Sequence, residues 1–218
     1  MKIGYCVEGS TDRATLRGLR QRWCPQAELI EGSFRGTSGQ SQRREIRNVC
    51  IELTTKGAEL IVFLRDANTE HRKWRKILKA YEEDCPPKHK HLTIFGVCDR
   101  NVECWLCADA DWIGKETGHQ ADEFRVPDPK GPFEEAIGIT GFDKKEQEIA
   151  ALVLRAPLKD WLTNRSFREF YEKLRDKSQE MGCKMENLLD SRWIVPPCGM
   201  SPSCGSQGIR ANERISRR

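Results

Sequence analysis

The chain has 218 residues, of which 38% are hydrophobic and 32% charged, and its formal net charge is +4. This composition is typical of a globular protein with one substantial core and an appendage, or with two small domains. The apolar stretches are strand-sized, well short of the roughly 20 residues that a membrane-spanning helix needs. Met1 also leads into a strand without a signal-peptide pattern. We therefore expect a cytoplasmic protein with no membrane role.

The first half of the chain alternates between short apolar runs and amphipathic helical patterns. Strands are predicted at 2–7, 27–34, 58–64 and 91–97, and helices at about 11–23, 40–56, 69–84 and from 102 to 109. Strand–helix–strand order implies parallel strands joined by right-handed crossovers. The predicted fold class is therefore α/β, with a parallel four-stranded βαβαβαβ core.

The pattern changes after Gly114. Helices are predicted at 132–137, 144–154 and 166–179, the last with Ser166 as N-cap and Glu169 at the capping-box position. Clusters of Pro, Gly and Ser and a basic end follow Val195, which predicts loop or disorder. We divide the chain into a core (1–113), a mostly helical C-terminal extension packed on it (114–194) and a loop-rich basic tail (195–218).

Ten cysteines are present, many of them within apolar segments and without an export signal. We interpret them as reduced thiols of the core. Zinc binding by Cys104, Cys107, Cys198 and Cys204 is a weaker alternative, because zinc ribbons present two closely spaced cysteine pairs. The four histidines show no ligand spacing.

Acidic residues follow three of the predicted strands. Glu8 follows the first strand, Asp66 the third, and Asp99 and Glu103 the fourth. Open α/β folds bind ligands at the carboxyl edge of the sheet, so these side chains predict a metal site there. Each also has a structural interpretation. Glu8 and Glu103 suit the positive end of a helix, Asp12 suits a helix cap, and Asp99 suits a turn.

Five segments, taken in order, resemble the motifs of a bacterial family of small TOPRIM-like proteins of largely unassigned function. They are 8–12 (EGSTD), 64–70 (LRDANTE), 101–109 (NVECWLCAD), 128–130 (DPK) and 166–170 (SFREF), so the resemblance extends to about residue 175. Topoisomerases, primases and the OLD nucleases share the TOPRIM domain. The resemblance thus implies a TOPRIM-like core, Mg²⁺-dependent phosphodiester chemistry and an AAA- or ABC-type ATPase partner, as in anti-phage defence or DNA maintenance.

The resemblance also implies roles for individual residues. Glu8 and Asp66 would be catalytic, and Arg65 and Lys130 would contact nucleic acid. Metal ligands for Mg²⁺ or Mn²⁺ would come from Glu8, Asp66 and Asn68. Asp12 lies one helical turn after Glu8 and could reach the same centre, and Glu70 and Glu103 are candidate ligands for a second metal. Asn68 departs from the family pattern, where a second Asp is common, and a neutral amide attracts a second cation less strongly.

The distribution of basic residues fits a phosphodiester substrate. Helical patterns carry Arg17, Arg20, Arg22, Arg43, Arg44, Arg47, Arg72, Lys73, Arg75 and Lys76, while acids gather at the strand ends. For any single one of these side chains, solvation of a helix face is the simpler interpretation. Two other classes of function stay open: a catalytically weak binding or scaffold subunit of an ATPase complex, and a primase-like nucleotidyl transferase.

Overall fold

The computed structural model describes residues 1–34, 39–138, 142–183, 185 and 188. The predicted tail 195–218, with Cys198 and Cys204, lies outside the described residues. Residues 1–188 form one structural unit, and the predicted boundary between 113 and 114 falls inside a helix, Ala110–Thr117. Within the described ranges, no helix has the length and apolar character needed to cross a membrane.

The central sheet has four parallel strands, as the sequence predicts. They are β1 (Lys2–Val7), β2 (Glu28–Glu31), β3 (Leu60–Asp66) and β4 (Thr93–Cys98), in the order β2-β1-β3-β4. Cys6 of β1 lies opposite Phe63 of β3, and Phe63 lies opposite Phe95 of β4. All of β3 except Arg65 is buried, which is typical of a central strand covered on both faces.

Helices follow each strand and continue to the end of the described chain. They are α1 (Ser10–Trp23), α2 (Gly39–Thr55), α3 (Trp74–Asp84), α4 (Glu103–Leu106), α5 (Ala110–Thr117), α6 (Ala121–Phe124), α7 (Lys130–Ile137), α8 (Phe142–Arg155), α9 (Leu158–Trp161) and α10 (Arg165–Glu180). Two 3₁₀ segments, Asn68–Lys73 and Pro87–Leu92, precede α3 and β4.

Helices α2 and α3 cover one face of the sheet. Their apolar side chains meet Phe63 and Phe95, whose rings stack with centroids 4.9 Å apart. On the other face, α1 packs along α8 and α10 packs on β4. Glycine allows close contact in both places. A Cβ at Gly18 of α1 would lie 2.6 Å from Cβ of Val153 in α8, and a Cβ at Gly96 of β4 would lie 2.7 Å from the Phe170 ring of α10. The helical extension thus completes the sandwich around the sheet.

Two predictions about helix and strand ends are corrected. The N-cap of α10 is Asn164, not Ser166, because the Asn164 side chain accepts hydrogen bonds from the amides of Ser166 and Phe167. Asn is as good a cap as Ser, and it comes two residues earlier. The second strand is also shorter than the predicted 27–34: it covers only Glu28–Glu31.

The expectation that all the cysteines are reduced is wrong for Cys24 and Cys183. They form a disulfide between the end of α1 and the segment after α10, with their Cα atoms 5.3 Å apart. They are 159 residues apart in the sequence, so no local pattern pointed to the pairing. The other cysteines of the described ranges are free thiols. Cys104 is half-buried, and the rest are buried: Cys6, Cys50, Cys85, Cys98 and Cys107.

Candidate functional site

A cavity of about 590 Å³ opens at the carboxyl ends of β1 and β3. From β1 the chain crosses to β2 on one side, and β3 and β4 lie on the other, so this is the point where the order of the strands reverses. Ligands of open α/β sheets bind at such a point. Predicted site residues in the cavity wall are Glu8, Asp12, Asp66, Asn68, Glu103 and Lys130.

Asp12 acts as a helix cap and also faces the cavity. Its Oδ2 accepts a hydrogen bond from the Gly9 amide at 2.9 Å, which closes the first turn of α1. Its Oδ1 is buried and has no hydrogen-bond partner. Burial, followed by the charges of Asp66 and Glu103, raises the pKa of this carboxyl well above its ordinary value. The choice between cap and site residue, which the sequence leaves open, is therefore not exclusive.

Asp66 ends β3 in the centre of the cavity wall and is only 8% exposed. The Val102 amide donates a hydrogen bond to its carboxylate, but Oδ1 is buried without a partner. Burial is the largest cause that raises the pKa of Asp66 to about 7, followed by the charges of Glu103 and Glu8, while Lys130 opposes the shift.

Glu103 is the first residue of α4 and is almost fully buried, at 2% exposure. Its Oε2 has no hydrogen-bond partner. Burial raises the pKa of this carboxyl, and the positive charges of Lys130 and Lys145 partly offset the shift. Glu103 is therefore not an exposed helix-end residue, and the desolvation of its carboxyl has an energetic cost.

Glu8 differs from the other three carboxylates because protein groups hold it. Its Oε1 accepts a hydrogen bond from the Gln42 side chain at 2.9 Å, and its Oε2 accepts one from the Asp66 amide at 3.2 Å. The Arg65 guanidinium lies 3.4 Å from Oε1. These contacts fix the carboxylate at the rim of the cavity and leave its charge compensated.

Arg65 belongs to the support of Glu8. It donates a hydrogen bond to the Tyr81 hydroxyl at 2.5 Å, and that hydroxyl donates to Oε1 of Gln42 at 2.8 Å. The four side chains Glu8, Gln42, Tyr81 and Arg65 thus form a closed ring that joins β1, α2, α3 and β3. Arg65 is not among the residues that line the cavity, in contrast to Lys130.

Sequence reasoning missed Gln42, Glu134 and Lys145. Gln42 is 3% exposed and precedes Ile46 by one helical turn, so a polar residue on the apolar face of α2 was the signal that could have found it. Lys145 of α8 lies 3.7 Å from Glu134 of α7, and both line the cavity. They come from helices far along the chain, and nothing local in the sequence connects them to β1.

Asn68 lines the cavity with its backbone in the left-handed region, at a φ of 52°. Its amide donates to the Arg100 carbonyl at 2.7 Å, which holds this conformation. Asn and Asp tolerate the left-handed region better than most residues, which is a structural reason for an Asx residue here. Glu70, two residues later, is not part of the cavity wall.

Three carboxylates line the cavity and carry oxygens of the kind that a hard divalent cation prefers: Asp12, Asp66 and Glu103. The unpartnered oxygen of each is itself buried. As they stand, no three His, Cys, Asp or Glu side chains in the described part of the chain are arranged to hold a metal ion. Three buried carboxylates repel one another, so they separate unless protons or a cation neutralise them. The donor set fits Mg²⁺ or Mn²⁺ in chemistry, and the carboxylates would have to draw together around the ion.

Comparisons of the chain with protein-family models, with curated proteins and with solved structures found no match. The likeness to TOPRIM-like proteins therefore rests on the sequence motifs alone and stays a prediction.

Proposed function

We propose that the cavity binds Mg²⁺ or Mn²⁺ and hydrolyses phosphodiester bonds of nucleic acid. The observation that carries the proposal is a set of three buried carboxylates, Asp12, Asp66 and Glu103, each with one unpartnered oxygen and all lining one cavity. Buried polar atoms are almost always hydrogen-bonded, so three exceptions at one point call for a ligand. Protons satisfy these groups only partly, and a divalent cation would satisfy all three once the carboxylates draw together around it.

In this proposal the acidic side chains hold the metal and the lysines hold the phosphate. Asp12, Asp66 and Glu103 would bind the cation, which when bound lowers the pKa of a water and polarises a phosphoryl oxygen. Lys130 and Lys145 lie in the same wall and would contribute positive charge toward the phosphate. Glu8 lies at the rim of the same cavity and would accept a proton from the attacking water.

A cleavage assay tests the proposal. Labelled duplex and single-stranded DNA and RNA would be incubated with the full chain in Mg²⁺, in Mn²⁺ and in chelator. We expect metal-dependent cleavage that falls by about 100-fold or more in Asp66→Asn, because this change removes a charged ligand while preserving shape. Glu148→Gln is the matched control, since Glu148 is an exposed carboxylate of α8 outside the cavity wall.

Equal rates in Asp66→Asn and in Glu148→Gln would contradict the proposal, as would cleavage that persists in chelator. Glu8→Gln should also lose cleavage while keeping its fold, because it removes the proton acceptor. An unchanged rate in that variant would remove Glu8 from the mechanism and leave the three buried carboxylates in place.

A second candidate is a subunit that binds a metal or nucleotide without turnover, as a scaffold for an ATPase partner. The observation in its favour is that Glu8 is already occupied by Gln42, Arg65 and the Asp66 amide. Metal binding without cleavage of any substrate would support this candidate. The ATPase partner follows only from the sequence resemblance, and co-purification of the full chain with candidate ATPases would test it.

A further inference from the structure

Five exposed cations on α2 and around the start of α3 have no hydrogen-bond or ion-pair partner among the described residues. We call this set the basic surface; it consists of Arg44, Arg47, Arg72, Lys73 and Lys76. Arg75, between them, is paired with Glu169 and lies over the Trp74 ring. The helical extension contains both kinds of exposed cation: Arg125 pairs with Asp111 and Arg155 with Glu116, whereas Lys144 has no partner among the described residues.

The chain connects the basic surface to the cavity at two points. Gln42, which lines the cavity, comes two residues before Arg44 in the first half of α2. Asn68, also in the wall, opens the 3₁₀ segment that ends at Lys73. Helices that follow parallel strands begin at the carboxyl edge of the sheet, where the cavity lies. Helices α2 and α3 also pack against each other, and the five cations themselves lie outside the cavity wall.

Charge is separated along α3. Arg75 and Lys76 lie in its first turn, whereas its acids, Glu82, Glu83 and Asp84, lie in its last turn. Those acids have partners of their own: Lys173 for Glu82, Lys79 for Glu83 and Arg43 for Asp84. No acid of α3 therefore pairs with the cations of the basic surface, and a polyanion bound there would relieve their mutual repulsion.

We propose that the basic surface binds the phosphate backbone of a nucleic acid and guides it into the carboxylate cavity. The proposal rests on the proposed function for the choice of polyanion, because a phosphodiester is the substrate that both a metal-binding cavity and a row of cations suit. It adds a binding surface, made by α2 and the start of α3, that lies outside the cavity itself. Backbone contacts of this kind carry affinity without sequence preference.

Two matched charge reversals test the surface. Arg72→Glu with Lys73→Glu alters the 3₁₀ segment at the carboxyl edge, and Lys88→Glu with Lys90→Glu alters the 3₁₀ segment before β4, at the opposite edge of the sheet. Lys88 and Lys90 are also exposed and without partners in the described ranges, so both variants change net charge equally. Thermal melts check that both fold.

Binding would be measured by fluorescence anisotropy with labelled duplex and single-stranded DNA and RNA, in chelator and over a range of salt. We expect the 72/73 variant to bind at least about 10-fold more weakly, and its slope of log K against log salt to be shallower by about 2, since each lost duplex phosphate contact contributes about 0.9. The 88/90 variant should stay within about 2-fold of the original chain.

Equal losses in both variants would overturn the proposal, because net charge alone would then explain binding. No loss in the 72/73 variant would also overturn it. Binding to phosphatidylserine vesicles but not to nucleic acid would replace the partner with an anionic membrane. The binding assay needs no metal, so it is independent of the cleavage assay. If only the 72/73 variant loses binding and the original chain never cleaves nucleic acid, the basic surface is supported and the proposed hydrolysis is contradicted.

Discussion

The short helix α4 contributes to two buried polar clusters that differ in hydrogen bonding. At its first residue, Glu103 faces Asp12 and Asp66, and each of these carboxylates has an oxygen without a partner. Two residues later, Trp105 donates its indole N–H to the Ser166 hydroxyl at 2.8 Å, which also accepts from the Asp99 amide at 3.0 Å. The polar atoms around Trp105 are thus hydrogen-bonded, whereas each of the three carboxylates keeps one oxygen without a hydrogen-bond partner.

The Trp105 group has a structural role, and the carboxylate group is the one on which the proposed function depends. The hydrogen bonds around Ser166 hold β4, α4 and α10 together, and the Trp105 ring packs between Phe167 and Phe170, with centroids 5.2 and 5.4 Å away. The carboxylates on the other side lower the stability of the fold, because burial and mutual repulsion oppose their ionisation. In the proposed function, a bound cation would compensate for this loss of stability.

Trp105→Ala should have the largest effect of the changes considered. The ring is fully buried, so its removal should destabilise the protein by about 3 to 5 kcal/mol. Chemical denaturation would measure this against Glu103→Gln on the same helix, which should not be destabilised. A Trp105→Ala protein as stable as the original chain would show that the two groups on α4 do not differ as described.

Ser166→Ala should cost less, about 1 to 3 kcal/mol, because it leaves the Trp105 indole and the Asp99 amide without their acceptor. The ring packing stays in place, which sets this change apart from loss of the tryptophan. Urea unfolding would measure it, with Ser178→Ala in the same helix as a control for loss of a buried hydroxyl. A neutral result would mean that the hydrogen bonds of Ser166 add nothing to stability.

Asp66→Asn should raise stability, and the gain should depend on pH. A carboxyl whose pKa is higher in the folded state binds protons more tightly there, so its ionisation destabilises the fold as pH rises from 3.8 toward about 7. In chelator at pH 8 we expect a gain of about 1 to 3 kcal/mol, which should shrink as the pH is lowered to 5. Melting curves at both pH values would measure it; a gain that is equal at pH 5 and pH 8, or a loss at pH 8, would contradict the account.

Asn68→Asp should have the smallest effect. It adds a charge at the cavity wall without straining the left-handed backbone, so Mn²⁺ affinity should rise by about 3- to 10-fold. Calorimetry without substrate would measure affinity and stoichiometry. Asn68→Gly keeps the backbone conformation and lacks the side-chain oxygen, so it is the matched control. Unchanged affinity in Asn68→Asp would place residue 68 outside the metal site.

The sequence alone predicted the four parallel strands and the position of three carboxylates at one edge of the sheet. Strand ends are local features, and parallel order brings them to one edge, so Glu8, Asp66 and Glu103 could be placed together from their positions after β1, β3 and β4. The alternation of apolar runs and helical patterns likewise predicted the four parallel strands.

Long-range packing decided the rest. Gln42 and Tyr81 reach Glu8 and Arg65 across the sheet edge, and Lys145 enters the cavity from α8. The Cys24–Cys183 disulfide joins positions far apart in the chain. The burial that separates Asp12, Asp66 and Glu103 from ordinary surface acids comes from several helices at once, so no pattern of neighbours in the sequence encodes it.

The most direct test of the central claim is an anomalous difference map from crystals of the full chain soaked in millimolar Mn²⁺. The account predicts a peak in the cavity in contact with the carboxylates of Asp66, Glu103 and Asp12, lost in crystals of Asp66→Asn. No peak in the cavity, or manganese bound only at surface carboxylates, would contradict the claim that these three side chains form a cation site.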